Sequence, residues 1–261
     1  MKVCVLGSGS KGNCTLVESG DTAILIDAGF SGVEIRRRLS SIGRSIDDIT
    51  AVLVTHEHND HISGAGILSR QAQIPLYANS ATYRATGKRL GKLFSLSEFG
   101  TGEPFLLNDL QIHPFSVSHD TADPVGFIIT DGVNRVGYCT DTGKITTLIE
   151  HHLQECEALI LESNHDQKML REGPYPLYLQ QRVSSNKGHL ANEDAGRFLQ
   201  KMALKNLRYV ILAHLSETNN QPDLALKSAH QFLDACTDHI EVIAAPQHTP
   251  TVCFDLAQET C

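Results

Sequence analysis

Residues 54–64 read VTHEHNDHISG and put His56, His58, Asp60 and His61 within six positions, directly after the apolar run AVLV. In an extended segment, side chains at i and i+2 share a side, so His56 and His58 can address one ion. Asp60 and His61 fall where the chain turns into a helix-like segment, so they point elsewhere and can address a second ion. Imidazole nitrogen and carboxylate oxygen both bind zinc at about 2 Å, and two ions ~3.5–4 Å apart can share a bridging hydroxide. Without a metal, so many imidazoles at a strand end would bury unsatisfied polar atoms at a cost in stability. The cluster offers four ligands, and two ions need more. Three single residues stand where other apolar runs stop: His119 after PFSVS, Asp141 after VGYCT and His214 after YVILA. Each alone is more often incidental than a ligand, but together they extend the set to seven.

The elements that must position these residues alternate. KVCVL, TLVES, TAILI and AVLV read as strands, VEIRRRLSSIG as a helix with a glycine stop, and ISGAGILSRQA as one helix after the histidine loop. PFLLN and LQIHPFSVS form a pair joined at Asn108-Asp109, and GFIIT and RVGYC a pair joined through an Asp-Gly turn. KITTLIEHHLQEC reads as a helix with Leu148 and Ile149 on its apolar side. ALILES, YVILA and IEVIAAP read as strands, and NEDAGRFLQKM and DLALKSAHQFLDAC as helices, the first capped by Asn192. Residues 164–189, with Pro174 and Pro176, read as a long ordered loop near function. Without repeats or linkers, the chain reads as one α/β domain over 1–261, with strands in packed sheets and helices outside.

Composition narrows the partners. Apolar residues make up 41% and charged residues 20%, as in ordinary soluble proteins. No apolar run nears the ~20 residues of a membrane span. The start MKVCVLGSGSKGN lacks the long apolar stretch of a secretion signal, so a cytoplasmic protein is expected. Seven cysteines, an odd number without a CxxC pair, read as reduced. Cys4, Cys139, Cys156 and Cys253 lie in apolar runs as small core residues. A net charge of −8 argues against coating nucleic acid non-specifically. It leaves open a nuclease steered by a local basic patch. Arg36, Arg37 and Arg38 form one candidate patch and Arg84, Lys88, Arg89 and Lys92 another; both read equally as solvated helix faces.

GSGSKG at 7–12 matches a dinucleotide-binding fingerprint, with Asp27 about 20 residues on. Such a site needs a helix to begin at the loop. The following NCTLVESGDTAILI is a hairpin, so the match is rejected. The loop can still present backbone N–H groups to an anion. His113 reads as structural, and His151, His152, His230, His239 and His248 receive no role.

The order Asp27, HEHNDH, His119, Asp141, His214 resembles the metallo-β-lactamase fold superfamily over essentially the whole chain. The resemblance implies a four-layer αββα sandwich with a dinuclear site on one edge. One metal would take His56, His58 and His119, the other Asp60, His61 and His214, with Asp141 bridging and Asp27 steadying the loop or a ligand. Zinc and manganese both suit such a donor set. SNKGHLAN, with His189 25 residues before His214, resembles an element of tRNA 3′-processing nucleases whose histidine contacts the scissile phosphate. The 21 residues between His119 and Asp141 leave no room for a tRNA-gripping arm. LGSGSKGN, THEHNDHISG, LESNHD (161–166) and GHLAN (188–192) resemble the YycJ/WalJ-type (VicX) family of bacteria.

That resemblance implies a metal-dependent phosphodiesterase acting as a 5′ to 3′ DNA exonuclease. Asp60 would orient or deprotonate the attacking water and His189 would serve the leaving oxygen. Ser10, Asn164, His165, Lys187 and Asn192 are candidate substrate contacts. The rivals are a thioester or lactone hydrolase with the same metals, an RNA-processing nuclease, and a scaffold that has lost its chemistry.

Overall fold

The computed structural model describes residues 1–203, 205–233, 237 and 239–257. The first part of the chain forms strands β1 (Lys2–Gly7), β2 (Cys14–Ser19), β3 (Thr22–Ile26), β4 (Ala51–Leu53), β5 (Leu76–Asn79) and β6 (Leu96–Phe99). The later part forms β7 (Phe105–Leu107), β8 (Leu110–Ser116), β9 (Val125–Thr130), β10 (Arg135–Cys139), β11 (Ala158–Glu162), β12 (Tyr209–Ala213) and β13 (Glu241–Ala244). A short β14 (Phe254–Asp255) returns to the first sheet. The two sheets run β14-β1-β2-β3-β4-β5-β6 and β13-β12-β11-β10-β9-β8-β7.

Strand alternation decides the layering. In β3, Ile24 and Ile26 face the other sheet while Ala23 and Leu25 face helices. In β11, Ala158 and Ile160 point between the sheets while Leu159 and Leu161 point outward. Both faces are buried, so these strands read as continuous apolar runs. Helices α1 (Gly32–Ser41), α2 (Asn59–Ile62), α3 (Ala65–Ala72) and α4 (Ser80–Thr86) accompany the first sheet in sequence. Helices α5 (Thr147–Leu153), α6 (Gln167–Glu172), α7 (Leu177–Val183), α8 (Asn192–Met202) and α9 (Pro222–Phe232) follow in the second part. Ile35 and Leu68, from α1 and α3, pack on the outer face of the first sheet, and Ile149, Phe198 and Ala225, from α5, α8 and α9, on that of the second. The result is a four-layer αββα sandwich.

The parallel ladders β3–β4–β5–β6 and β10–β11–β12–β13 bring strand C-termini to a common edge. In α/β sheets, ligands gather at that edge. Asp27, the histidine loop, His119, Asp141 and His214 all follow strand ends there.

Several expectations need correction. ISGAGILSRQA is broken: α2 holds Asn59–Ile62, and α3 starts at Ala65. Residues 164–189 contain α6 and α7; Pro174 sits between them and Pro176 caps α7, so proline punctuates two short helices. Asn192 is the first residue of α8, and Ala191 holds the cap position. In α5, Ile149 is buried but Leu148 is exposed. Cys253 is exposed, beside the short β14, so it is no core residue. Residues 234–236 of the segment DLALKSAHQFLDAC lie outside the described residues. Arg38 is no solvated helix face. It is buried, and its Nη1 donates to the carbonyls of Leu6 (2.6 Å) and Gln247 (3.0 Å).

The glycines of the loop–helix junction set close approaches. A Cβ on Gly66, in α3, would lie 2.0 Å from the Leu90 carbonyl oxygen. Alanine is the better helix former by about 1 kcal/mol, whereas overpacking costs about 1–3 kcal/mol. Gly66→Ala is therefore expected to lower stability, seen as a lower urea midpoint at unchanged slope. A raised midpoint would mean that Leu90 yields freely.

Candidate metal centre

Most residues of the centre are held by a partner behind them. Asp27 is fully buried and accepts from the Thr55 backbone N–H (2.9 Å) and hydroxyl. Its Oδ2 lies 2.7 Å from His61 Nδ1, which leaves His61 Nε2 to face Asp60 and Asp141 at 3.4 and 3.3 Å. His56 Nδ1 lies 3.0 Å from the Thr55 hydroxyl, and His119 Nδ1 3.1 Å from the Gly188 carbonyl. His119 Nε2 meets His58 Nδ1 at 3.3 Å. Carboxylates and carbonyls behind imidazoles fix ring orientation and tautomer.

Glu162, the last residue of β11, does this for two histidines at once. Its Oε1 lies 2.8 Å from His189 Nδ1 and 2.9 Å from His214 Nδ1. Its Oε2 accepts from the N–H groups of Thr142 (2.8 Å) and Leu190 (3.1 Å). Sequence reasoning gave it no role, although it stands in LESNHD, because a glutamate ending an apolar strand carries no periodic signal. Asn13 was missed too: its Nδ2 lies 3.1 Å from His61 Nε2 and 3.4 Å from Asp60 Oδ2.

The donor atoms fall into compact groups. His56, His58 and His119 form one, Asp60, His61 and His214 a second, and Asp141 joins His56 and His61 in a third, each with ligand atoms within 4.8 Å of one another. His56 Nε2, Asp141 Oδ2 and His214 Nε2 are sealed from solvent with no hydrogen-bond partner. Buried polar atoms rarely go unpaired, and cations held by these groups would satisfy all three. The residues therefore fit a metal.

Protonation follows from the same packing. Burial, reinforced by the other imidazoles, holds His56 well below the usual imidazole range, so its ring is neutral. For His214 burial works downward too, but the charge of Asp141, Asp60 close by and the bond to Glu162 outweigh it and raise the ring to about 10. Asp141 and Asp27 likewise raise His61 against its burial. The His61 and His214 charges hold Asp60 below the carboxylate range despite burial.

A cleft of about 230 Å³ opens over the centre, where Ser10, His58, Asp60, Asp141, His189 and His214 reach its wall. Tyr175, Leu179 and Arg182 close the opposite side, and Arg182 pairs with Asp120 at 2.7 Å. Asn164 also lines it, with its amide donating to the His214 carbonyl (2.8 Å). Lys187 lines neither this cleft nor the next one. Asn192 is buried and its amide is used by Ser163 and Asn220, which leaves none for substrate. Asp166 caps α6 through Met169 N–H (2.7 Å). The Gly-rich loop is no anion cradle: Gly9 N–H donates to Asn13 Oδ1, Lys11 N–H to Gln247 Oε1 and Gly12 N–H to the Gly9 carbonyl. Of the second basic stretch, Arg89 braces the histidine loop, donating to the Glu57 carbonyl (2.8 Å) and Asn59 Oδ1 (3.1 Å).

Residues 22–215 match the family model described as a beta-lactamase superfamily domain. The chain belongs to the beta-lactamase superfamily. Within that superfamily, it is 35% identical over 232 residues to the exodeoxyribonuclease YycJ of Bacillus anthracis, covering 88% of each chain. It is 36% identical over 228 residues to the exodeoxyribonuclease WalJ of Streptococcus pneumoniae serotype 2, covering 86% of this chain and 85% of the relative. It is thus a member of the YycJ/WalJ-type family. The metallo-beta-lactamase fold protein YhfI of Bacillus subtilis superposes with a TM-score of 0.74 at 21% identity, over 96% of this chain and 99% of the other, and bears out the sandwich. Among the described residues, no helix is long and apolar enough to cross a membrane.

Two outcomes follow for this superfamily site. Coordination needs neutral imidazole, whereas His214 and His61 carry protons in the metal-free chain. Metal uptake at pH 7.5 should release protons, and affinity should rise with pH towards about 10. Calorimetry in buffers of different ionisation enthalpy reads this, and a heat independent of buffer would refute it. The sign for stability is opposite: a raised histidine stabilises the metal-free fold below pH 6.5, and that contribution is lost as pH rises through about 10. Separately, Asp27→Asn should weaken metal retention about 10–100-fold in chelator competition; unchanged retention would make Asp27 a purely structural residue.

Proposed function

We propose that this protein is a metal-dependent phosphodiesterase that removes nucleotides from DNA 5′ ends, in the 5′ to 3′ direction, in the cytoplasm. The observation that carries the reading is near full-length kinship with two exodeoxyribonucleases in a chain whose donor set fits metal beside an oriented His189. His56, His58 and His119 would hold one divalent ion, Asp60, His61 and His214 a second, and Asp141 would face both. Zinc and manganese suit these donors. The chemistry such ions supply is activation of water and neutralisation of phosphate charge.

The chain's own residues do the rest. Asp60, partly exposed in the cleft, would orient the attacking water or take its proton. His189 stands at the cleft wall, with Nδ1 on Glu162, so Nε2 is free for the leaving oxygen. Glu162 ties His189 to the donor set, because the carboxylate that orients His189 also orients His214. Arg182, tied to Asp120, adds a cation at the rim for the DNA backbone.

The reading is tested with duplex DNA labelled at the 5′ or the 3′ end and incubated with Mn²⁺-loaded protein. Progressive shortening from the 5′ end is expected, with none for His119→Ala. His189→Ala should lose about 10²–10⁴-fold in kcat while retaining metal. Intact DNA with metal bound would end the DNase reading and move RNA, then small esters and lactones, to the front.

A further inference from the structure

A second cleft lies on the far side of His189. Its volume is about 360 Å³, within the range of small-molecule sites. It shares His189 with the cleft over the metal centre, and none of the seven clustered donors lines it. Its walls come from α6, α7, the segment after β11 and the first turn of α8, where Asp194 is paired with Arg197. Leu170 and Leu177 give it apolar surface. Gln167 and Gln181 reach it with amides, and Arg171 lines it as a guanidinium on an exposed helix turn. His165 lines it as well. That ring is only 2% exposed, and its Nδ1 has no hydrogen-bond partner. Its Nδ1 is closed to solvent, so His165 belongs to the wall behind the cleft.

We propose that this cleft binds the terminal nucleotide of a DNA 5′ end, the one that leaves as a mononucleotide. The proposal rests on the exonuclease reading above and adds the binding site that makes the enzyme act at an end. Hydrolysis at the first linkage breaks the bond between phosphorus and the 3′ oxygen of the terminal nucleotide. Water gives its hydroxyl to phosphorus, and the 3′ oxygen gains a proton. The products are a nucleoside 5′-monophosphate with a 3′-hydroxyl and a chain that starts with a new 5′-phosphate. His189 serves the 3′ oxygen, so the terminal nucleoside must continue past His189, away from the metal centre. The second cleft is the space found there.

The lining fits that ligand. Leu170 and Leu177 pack against a base, whatever its identity. Gln167 and Gln181 each carry a donor and an acceptor, so they can meet the edge of any base without selecting one. Arg171 is the cation for the 5′-phosphate, which it can grip bidentately.

The test compares 5′-phosphorylated and 5′-hydroxyl oligodeoxynucleotides with the metal-loaded protein and its Arg171→Ala and Gln181→Ala variants. Bis(p-nitrophenyl) phosphate, which has no nucleoside, reports on the metal centre. Deoxyadenosine monophosphate binding, followed by calorimetry, supplies a readout that does not depend on turnover. The unaltered protein should prefer the phosphorylated end. Arg171→Ala should abolish that preference and raise KM for the phosphorylated strand about tenfold or more, with a smaller change in kcat. Its loss on bis(p-nitrophenyl) phosphate should be at least about tenfold smaller than its loss on DNA, and mononucleotide binding should weaken by about the same factor as KM. Gln181→Ala should raise KM for both ends alike. Wild-type KM, end preference and mononucleotide binding in both variants would overturn the cleft assignment while the exonuclease reading stood. Failure of the unaltered protein to cut DNA while still cutting bis(p-nitrophenyl) phosphate would remove the exonuclease reading, and the cleft assignment with it.

Discussion

Asp27, Asp141 and Glu162 are carboxylates at most 2% exposed, set within a few ångströms of His61, His189 and His214 at one edge of a sandwich that is otherwise apolar. Isolated buried charge costs several kcal/mol per ion. These groups are tolerable only because each carboxylate meets imidazole N–H, backbone N–H or hydroxyl groups. Three atoms are still left over, on His56, Asp141 and His214. The rest of the molecule follows from this compensation. The sheets must dock with their C-terminal edges together, and Glu162, at the tip of β11, must reach two histidines from different loops. Removing one partner would strand the others, which is why the network reads as a unit and not as a set of additive contacts.

Much of this was legible in the sequence, for a physical reason. Residues that bind metal are chemically unlike the strands that carry them, so a histidine or aspartate ending an apolar run stands out at His56, His119, Asp141 and His214. The strands were legible because both their faces are buried. What stayed hidden was whatever acts through another residue. Glu162 and Asn13 touch the donors from behind, and nothing in their own neighbourhood of sequence announces it. Arg38 looked like a surface charge among arginines, yet tertiary contacts with Leu6 and Gln247 pull it inside. The helices α6 and α7 are six and seven residues long, too short for a periodicity to declare itself on either side of Pro174 and Pro176.

The backbone at the strand ends carries its own signature. Asp27, Asp141 and His214 have φ of +61°, +56° and +56°. The left-handed region is disfavoured for residues with a Cβ, least so for aspartate and asparagine. Glycine would be the relaxed choice at all three, and it would bring no donor. Such conformations persist where the surroundings over-determine them. Here that comes from the Thr55 bonds to Asp27, the Glu162 contact with His214, and the Ser8 hydroxyl accepting the His214 N–H at 2.8 Å. The turns aim side chains across the edge where a straight strand would aim them along it.

The donors are divided between the sheets. His56, His58, Asp60 and His61 follow β4 in one, while His119, Asp141 and His214 follow β8, β10 and β12 in the other. Neither half of the chain alone can assemble the His56–His58–His119 or the Asp60–His61–His214 set, and His214 is the last of these donors to be synthesised. The full site therefore comes into being only when the two sheets close on each other. Full metal occupancy in this architecture would report completed folding: a chain that stalls before β12 lacks His214 and cannot close the second set, and one whose halves stay apart can close neither.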